Sequence, residues 1–126
     1  MDFDRTAGLA VCVCLALMYC GCAPAGSHAS NGDRTAQPER GRRLVSWYGC
    51  ASCHDIPGGS TTGMVGPPLR SIGRRSYLAG RLLNTPENLI HWIRYPQQVD
   101  EDTAMPFMNV SEEDARDITA FLYTLR

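Results

Sequence analysis

Cys50-Ala51-Ser52-Cys53-His54 is the stretch on which the reading of this chain turns. Two cysteines separated by two residues and followed at once by histidine form the attachment pattern for c-type haem. The spacing has a chemical reason. Each thiol adds across a haem vinyl group, and two intervening residues on one helical turn place the sulfurs over adjacent vinyls. The histidine is then directed at the iron from one face, where its ring nitrogen serves as proximal ligand. Three other uses of the motif compete. A redox dithiol expects a βαβ surround, and none is present. Half of a zinc site expects a second cysteine pair or paired histidines further on, and neither follows. A short-loop disulfide is the third, and it ranks below haem in an exported chain.

The start of the chain points to export. Residues 8–18 are almost wholly apolar, about the length of a signal-peptide core and short for a membrane span. Arg5 is the only basic side chain before them, against Asp2 and Asp4. The expected leader is 1–21, with an uncleaved anchor as the alternative. Of six cysteines, Cys12, Cys14, Cys20 and Cys22 belong to this region, so Cys50 and Cys53 have no further cysteine in the body to pair with. Gly21-Cys22-Ala23-Pro24 resembles the end of a bacterial lipoprotein signal, which would place a lipid on Cys22. Plain cleavage near residues 23–29 is the competing reading. Residues 22–37, rich in Gly, Ser, Ala, Asn and Thr around His28, read as a flexible tether. Thirteen such residues (25–37) reach roughly 20 Å.

The folded domain is expected over 38–126, 89 residues and few for a self-sufficient core. Pro38 opens a helix over 39–48 whose apolar face is Leu44, Val45 and Tyr48. After His54 about thirty residues lack periodicity, with Gly58, Gly59, Gly63, Gly66, Pro67, Pro68 and Gly73 among them. A loop of that length is expected to wrap something, here the haem. Thr85-Pro86 starts a short helix that Pro96 stops, with Leu89, Trp92 and Ile93 on one face. Ser111 with Glu112, Glu113 and Asp114 starts the last helix, whose stripe is Ala115, Ile118, Leu122 and Leu125 beside Phe121. No strand run or repeat is visible.

A haem bound by His54 needs a second axial ligand or leaves one position open. Met64, Met105, Met108 and His91 are the candidates. Met64 follows His54 too closely to cross the ring, and His91 lies outside the apolar stripe of its helix. Met105 lies 51 residues beyond His54, in a loop between helices, and Pro106 stiffens its approach. Met108 points elsewhere if Met105 takes the iron. A thioether opposite histidine raises the potential and leaves no place for substrate, which favours electron transfer over catalysis.

Together these residues resemble a class I c-type cytochrome over about 39–126. Cys50-x-x-Cys53-His54, Gly66-Pro67-Pro68-Leu69, Thr103-Ala104-Met105-Pro106 and Asp117-Ile118-Thr119-Ala120-Phe121-Leu122 carry the likeness. It implies an all-α cytochrome c fold, three main helices and long loops wrapped around one covalently bound haem c. In it the terminal helices cross, with Gly41 and the Leu44/Val45 turn against Ile118 and Phe121. It also implies that the Pro67 carbonyl accepts the Nδ1–H of His54, a contact that orients a ligating histidine. Arg74 or Arg75, Tyr77 and Trp92 occupy places where relatives contact the haem propionates. Residues 66–125 look more narrowly like bacterial cytochromes associated with haem–copper terminal oxidases.

All twelve basic side chains are arginine, and from Cys22 onward 11 arginines meet 11 acids. Arg70, Arg74, Arg75 and Arg81 cluster, while Asp100, Glu101, Asp102, Glu112, Glu113, Asp114 and Asp117 gather around the methionine loop and last helix. Two readings stand: solvated faces, or a dipole that orients the protein towards a redox partner. A nucleic-acid groove is not suggested. The expectation is a monomeric, membrane-tethered electron carrier and not an enzyme, on the periplasmic face of a bacterial inner membrane. Its acceptor would be a terminal oxidase and its donor a quinol-oxidising complex or dehydrogenase. Electrons would cross near Ser52, Met64, Ala104 and Phe107. The alternatives are an electron-transfer subunit of a periplasmic dehydrogenase and a gas-binding or peroxidatic haem protein.

Overall fold

Pro38 has no backbone N–H to leave unsatisfied, and its fixed φ suits a first helical turn. Helix α1 runs from it over Pro38–Trp47, one residue ahead of the expected span. Tyr48 closes the helix by donating its N–H to the Leu44 carbonyl at 2.8 Å. Gly49 follows at φ 69, a left-handed cap that costs glycine little. The reversal delivers the chain straight into a 3₁₀ turn over Cys50–Ser52. The computed structural model describes residues 35–59, 63 and 65–126. The leader, Cys22, His28, the tether to residue 34 and Met64 lie outside the described residues.

Thr85 caps α2 (Pro86–Arg94), its hydroxyl oxygen accepting from the Asn88 N–H at 3.2 Å. Pro96 ends that helix as expected and then begins another, α3 (Pro96–Val99). A proline that cannot continue one helix fits the first position of the next. Ser111 caps α4 (Glu112–Leu122), and Glu112, Glu113 and Asp114 sit at the positive end of its dipole. A second 3₁₀ turn lies over Ile72–Arg74.

The sequence reading expected no strands, and the structure corrects it with one minimal hairpin. Strands β1 (Tyr77–Leu78) and β2 (Leu82–Leu83) pair antiparallel, Tyr77 opposite Leu83 and Leu78 opposite Leu82. Ala79 and Gly80 turn the chain at φ 49 and φ 67. Two positive φ values are those of a type I′ turn, closed by the Arg81 N–H donating to the Leu78 carbonyl at 2.9 Å, with Arg81 the third residue of the loop. Strands of two residues leave no alternation for a sequence pattern to reveal.

The main packing is between α1 and α4, with α2 also laid on α4. Val45, Ile118, Phe121 and Leu122 are buried there. A Cβ on Gly41 would run into the Asp117 carbonyl and the Phe121 Cβ, so only glycine lets the helices approach this closely. Asp117 was read as one acid among many around the last helix, yet its side chain is 0% exposed. One carboxylate oxygen accepts the Gln37 backbone N–H at 2.7 Å, the other the Arg40 guanidinium at 2.6 Å. The start of α1 has no side-chain cap of its own, so α4 supplies one. Arg40 also bonds Asp114, which accepts the Tyr48 hydroxyl at 2.7 Å. Burial alone would raise Asp114. The Tyr48 and Arg40 hydrogen bonds outweigh it and hold the carboxyl below its usual range.

Gly41→Ala should lower stability by about 1–3 kcal/mol, the usual effect of forcing a methyl into a filled core. A reduced denaturant midpoint would show it, and an unchanged midpoint would mean the crossing has room. Asp114 acts through pH. Its folded pKa lies below its unfolded value of about 4, so its contribution is complete above that unfolded value. It is lost as pH falls through the folded value. Asp114→Asn should therefore lower stability at neutral pH and flatten the acid limb of the unfolding curve. An acid limb of unchanged slope would remove Asp114 as its source.

Candidate haem site

The turn after α1 sets the two thiols. Cys53 and His54 both donate their N–H to the Cys50 carbonyl, at 3.3 and 3.0 Å, which winds the motif into a single turn. Cys50 and Cys53 are free cysteines, each half-buried, and no disulfide joins them. Burial pushes the Cys50 thiol up from its ordinary value. A reactive dithiol depends on the opposite shift.

The aperiodic loop is held against this turn by backbone bonds. Gly66 donates to the Cys53 carbonyl and Leu69 to the Asp55 carbonyl, both at 2.8 Å. The Pro67 carbonyl thereby lies 2.8 Å from Nδ1 of His54. A carbonyl only accepts, so Nδ1 carries the proton and the neutral ring keeps its lone pair on Nε2. Gly66 lies against the ring itself. A Cβ there would stand 2.6 Å from Nδ1, so the close approach needs a residue without one.

Above the turn opens a cavity of about 590 Å³, within the usual size of small-molecule and cofactor sites. Val45 of α1 and Tyr48 just after it, Leu89, Trp92 and Ile93 of α2, and Ile118 and Leu122 of α4 form much of its mainly apolar wall. Cys50, Cys53, His54, Pro67, Tyr77, Trp92 and Met105 all contribute to it. Of the neighbouring arginines, Arg75 lines the cavity and donates to the Pro68 carbonyl, whereas Arg74 is exposed and not among the described lining residues. His91 is exposed and likewise not part of the described lining. Met108 was expected to point elsewhere, but it lines the same cavity as Met105.

The two methionines differ in how their backbone is held. Gln97 donates to the Met105 carbonyl at 2.7 Å, and the Met105 N–H donates to the Thr103 hydroxyl at 3.2 Å. Pro106 follows. Met108 is 37% exposed and sits beside Asn109, whose φ is 52. The backbone of Met105 is thus fixed on both sides. The residues present fit a haem: two free thiols on one turn, a histidine with Nε2 available, apolar walls and a thioether.

Sequence reasoning passed over Tyr48 as a cavity residue and Gln97 as the brace of Met105. Tyr48 carried a faint signal, an aromatic just before the cysteine motif. Gln97 carried none, because its partner is a backbone carbonyl eight residues on. The expected charge separation is largely neutralised where it stands. Arg70 pairs with Asp55 at 2.8 Å, Arg81 with Asp100 at 3.0 Å and Arg94 with Glu112 at 3.2 Å. Arg74 makes no ion pair among the described residues.

The family model described as Cytochrome c matches residues 38–126. The chain is 36% identical over 88 residues to cytochrome c oxidase subunit 2 of Alkalihalophilus pseudofirmus. That alignment takes in 69% of this chain and 25% of the relative, so the chain spans about a quarter of the relative's length. Among solved structures the chain is similar to SoxXA from P. pantotrophus, with a TM-score of 0.60 and 22% identity. The match covers 73% of this chain and 83% of that one, and at such identity it speaks for the fold alone.

Gly66→Ala should push the His54 ring from the Pro67 carbonyl. The matured protein is then expected to show weakened low-spin visible bands and reduced haem incorporation. A variant spectrally identical to the parent would mean that the loop yields without moving the ring.

Proposed function

The chain belongs to the cytochrome c family, electron-transfer haem proteins, and from that membership we propose a single-haem electron carrier exported to the periplasmic face of a bacterial inner membrane, passing electrons to a terminal oxidase. One observation carries the reading: Cys50, Cys53, His54 and Met105 meet in one apolar cavity. When bound, a haem supplies a one-electron ferric/ferrous couple.

The chain's own residues do the rest. Cys50 and Cys53 would hold the group through thioether bonds. His54 offers Nε2 while its Nδ1–H stays on the Pro67 carbonyl, which fixes tautomer and orientation and makes the ring a stronger donor. Met105 offers a neutral thioether from a braced backbone. The apolar wall from α1, α2 and α4 excludes water and so favours the less charged state. If His54 and Met105 both held the iron, no coordination position would remain for a substrate, and the haem would supply one-electron exchange only. The likeness of residues in this chain to part of an oxidase subunit supports an oxidase as acceptor.

The decisive experiment is the visible spectrum of the matured protein, oxidised, reduced, and reduced under carbon monoxide. A low-spin spectrum indifferent to carbon monoxide is expected, becoming responsive in Met105→Ala and staying indifferent in Met108→Ala. Ready carbon monoxide binding by the unmutated protein would replace the carrier with a gas-binding or peroxidatic role. A stoichiometric complex with a dehydrogenase on purification would replace the shuttle with a fixed subunit.

Arg74 is the member of the arginine cluster left available for a partner's carboxylates. Arg74→Glu should slow association with the acceptor several-fold at low salt, and high salt should erase the difference. Arg70→Glu should act through the lost Asp55 pair, as a stability change. Equal rates for Arg74→Glu and the parent at every salt concentration would exclude this face from docking.

A further inference from the structure

Helix α1 turns one face to α4 and leaves the other uncovered. Glu39, Arg42, Arg43, Ser46 and Trp47 are all exposed and fall on that outer arc. Trp47 is 83% exposed, the most exposed large hydrophobic side chain among the described residues. Arg43, one turn before it, makes no ion pair among the described residues. Arg42 reaches only Glu39, at 3.5 Å, a pair in which both side chains are mostly in water. An indole beside two guanidinium groups suits the headgroup zone of a bilayer. The ring prefers the boundary between apolar and wet, and guanidinium binds phosphate oxygens through paired N–H groups.

We infer that this outer face of α1 seats the protein on an anionic lipid surface. The inference rests on the export proposed above and on the lipid tether at Cys22 expected from the sequence. In chain order helix α1 comes directly after residues 22–37, whose composition reads as a tether from a lipid-bearing Cys22, so this helix is the part of the described domain nearest in sequence to that attachment. A redox partner is expected elsewhere. The exposed large hydrophobic side chains described at the cavity are Val65, Tyr77 and Met108, whereas Trp47 is not among the described lining residues. Because the Cys50–Ser52 turn begins three residues after Trp47, seating this face sets the height of the cysteine motif above the lipid.

The test uses the full-length holoprotein, prepared from membranes with its attachment intact and reconstituted into vesicles carrying brominated acyl chains. Vesicles of phosphatidylcholine are compared with the same vesicles containing phosphatidylglycerol. Trp92 lines the cavity and Trp47 does not, so the difference between the parent and Trp47→Phe isolates the Trp47 emission. Blue-shifted Trp47 emission that bromine quenches, more strongly with phosphatidylglycerol, is the expected result. The double variant Arg42→Gln/Arg43→Gln should shrink the seated population by roughly 25-fold, at about fivefold per arginine. Co-flotation with unquenched, water-like Trp47 emission would overturn the seating and leave the tether standing. Failure to co-float with either vesicle would overturn both. Trp47 that is unquenched by lipid but shielded on adding a terminal oxidase would overturn the lipid in favour of a protein partner.

Discussion

A carboxylate taken wholly out of water sits where α1 and α4 cross, and the rest of the structure depends on how it is satisfied. Asp117 receives a guanidinium on one oxygen and a backbone amide on the other. An ion left unpaired at such depth costs several kcal/mol, so the two helices are bound to one relative placement. Gly41 makes the approach short enough for these bonds to form. The turn that carries Cys50, Cys53 and His54 leaves directly from the end of α1. The methionine loop leads directly into α4. Fixing the crossing therefore fixes the distance across which the two halves of the site face each other.

Between these helices lies a cavity where a chain of this size would otherwise need a core. Ile118, Leu122 and Val45 serve both the helix packing and the cavity wall. A small domain has little apolar surface to bury, and an apolar cofactor can complete what the side chains begin. The long stretch after His54 then has a physical role. Its Ile56, Ile72 and Leu78 join the core, and between them it is held by backbone bonds to the cysteine turn, by the Pro67 carbonyl on the histidine ring and by Arg75 on Pro68.

Charge follows the same local economy. Blocks of like sign along the sequence suggested a dipole for steering partners. In the fold, most of these charges meet opposite ones: Arg70 with Asp55, Arg81 with Asp100, Arg94 with Glu112, and Arg40 with Asp114 and Asp117. Among the described residues, charges in no ion pair include Arg74 beside the cavity-lining Arg75 and Tyr77, Arg43 on the outer face of α1, and the exposed Glu101 and Asp102 before Met105.

The sequence by itself determined the cysteine turn, the helix starts and the loops, because each is written in adjacent residues. Two cysteines and a histidine define one turn of chemistry. Thr85 and Ser111 mark helix starts through caps that act three residues on, and Pro38 marks one through its fixed φ at the first helical position. The two terminal helices were legible through their starts and apolar stripes, their crossing was what the resemblance to a class I c-type cytochrome implied, and the axial role assigned to Met105 came from its place in a loop. Only the tertiary structure decided the interactions between distant residues. Asp117 looks like any surface acid until Arg40 and Gln37 are brought to it from the far end of the domain. Arg75 and Arg74 differ by one position, and only the loop's path puts the first in the cavity wall. The β1–β2 hairpin is too short to have a pattern. Burial and pairing across long separations leave no periodic trace in a chain, so they became readable only once the fold had placed the partners together.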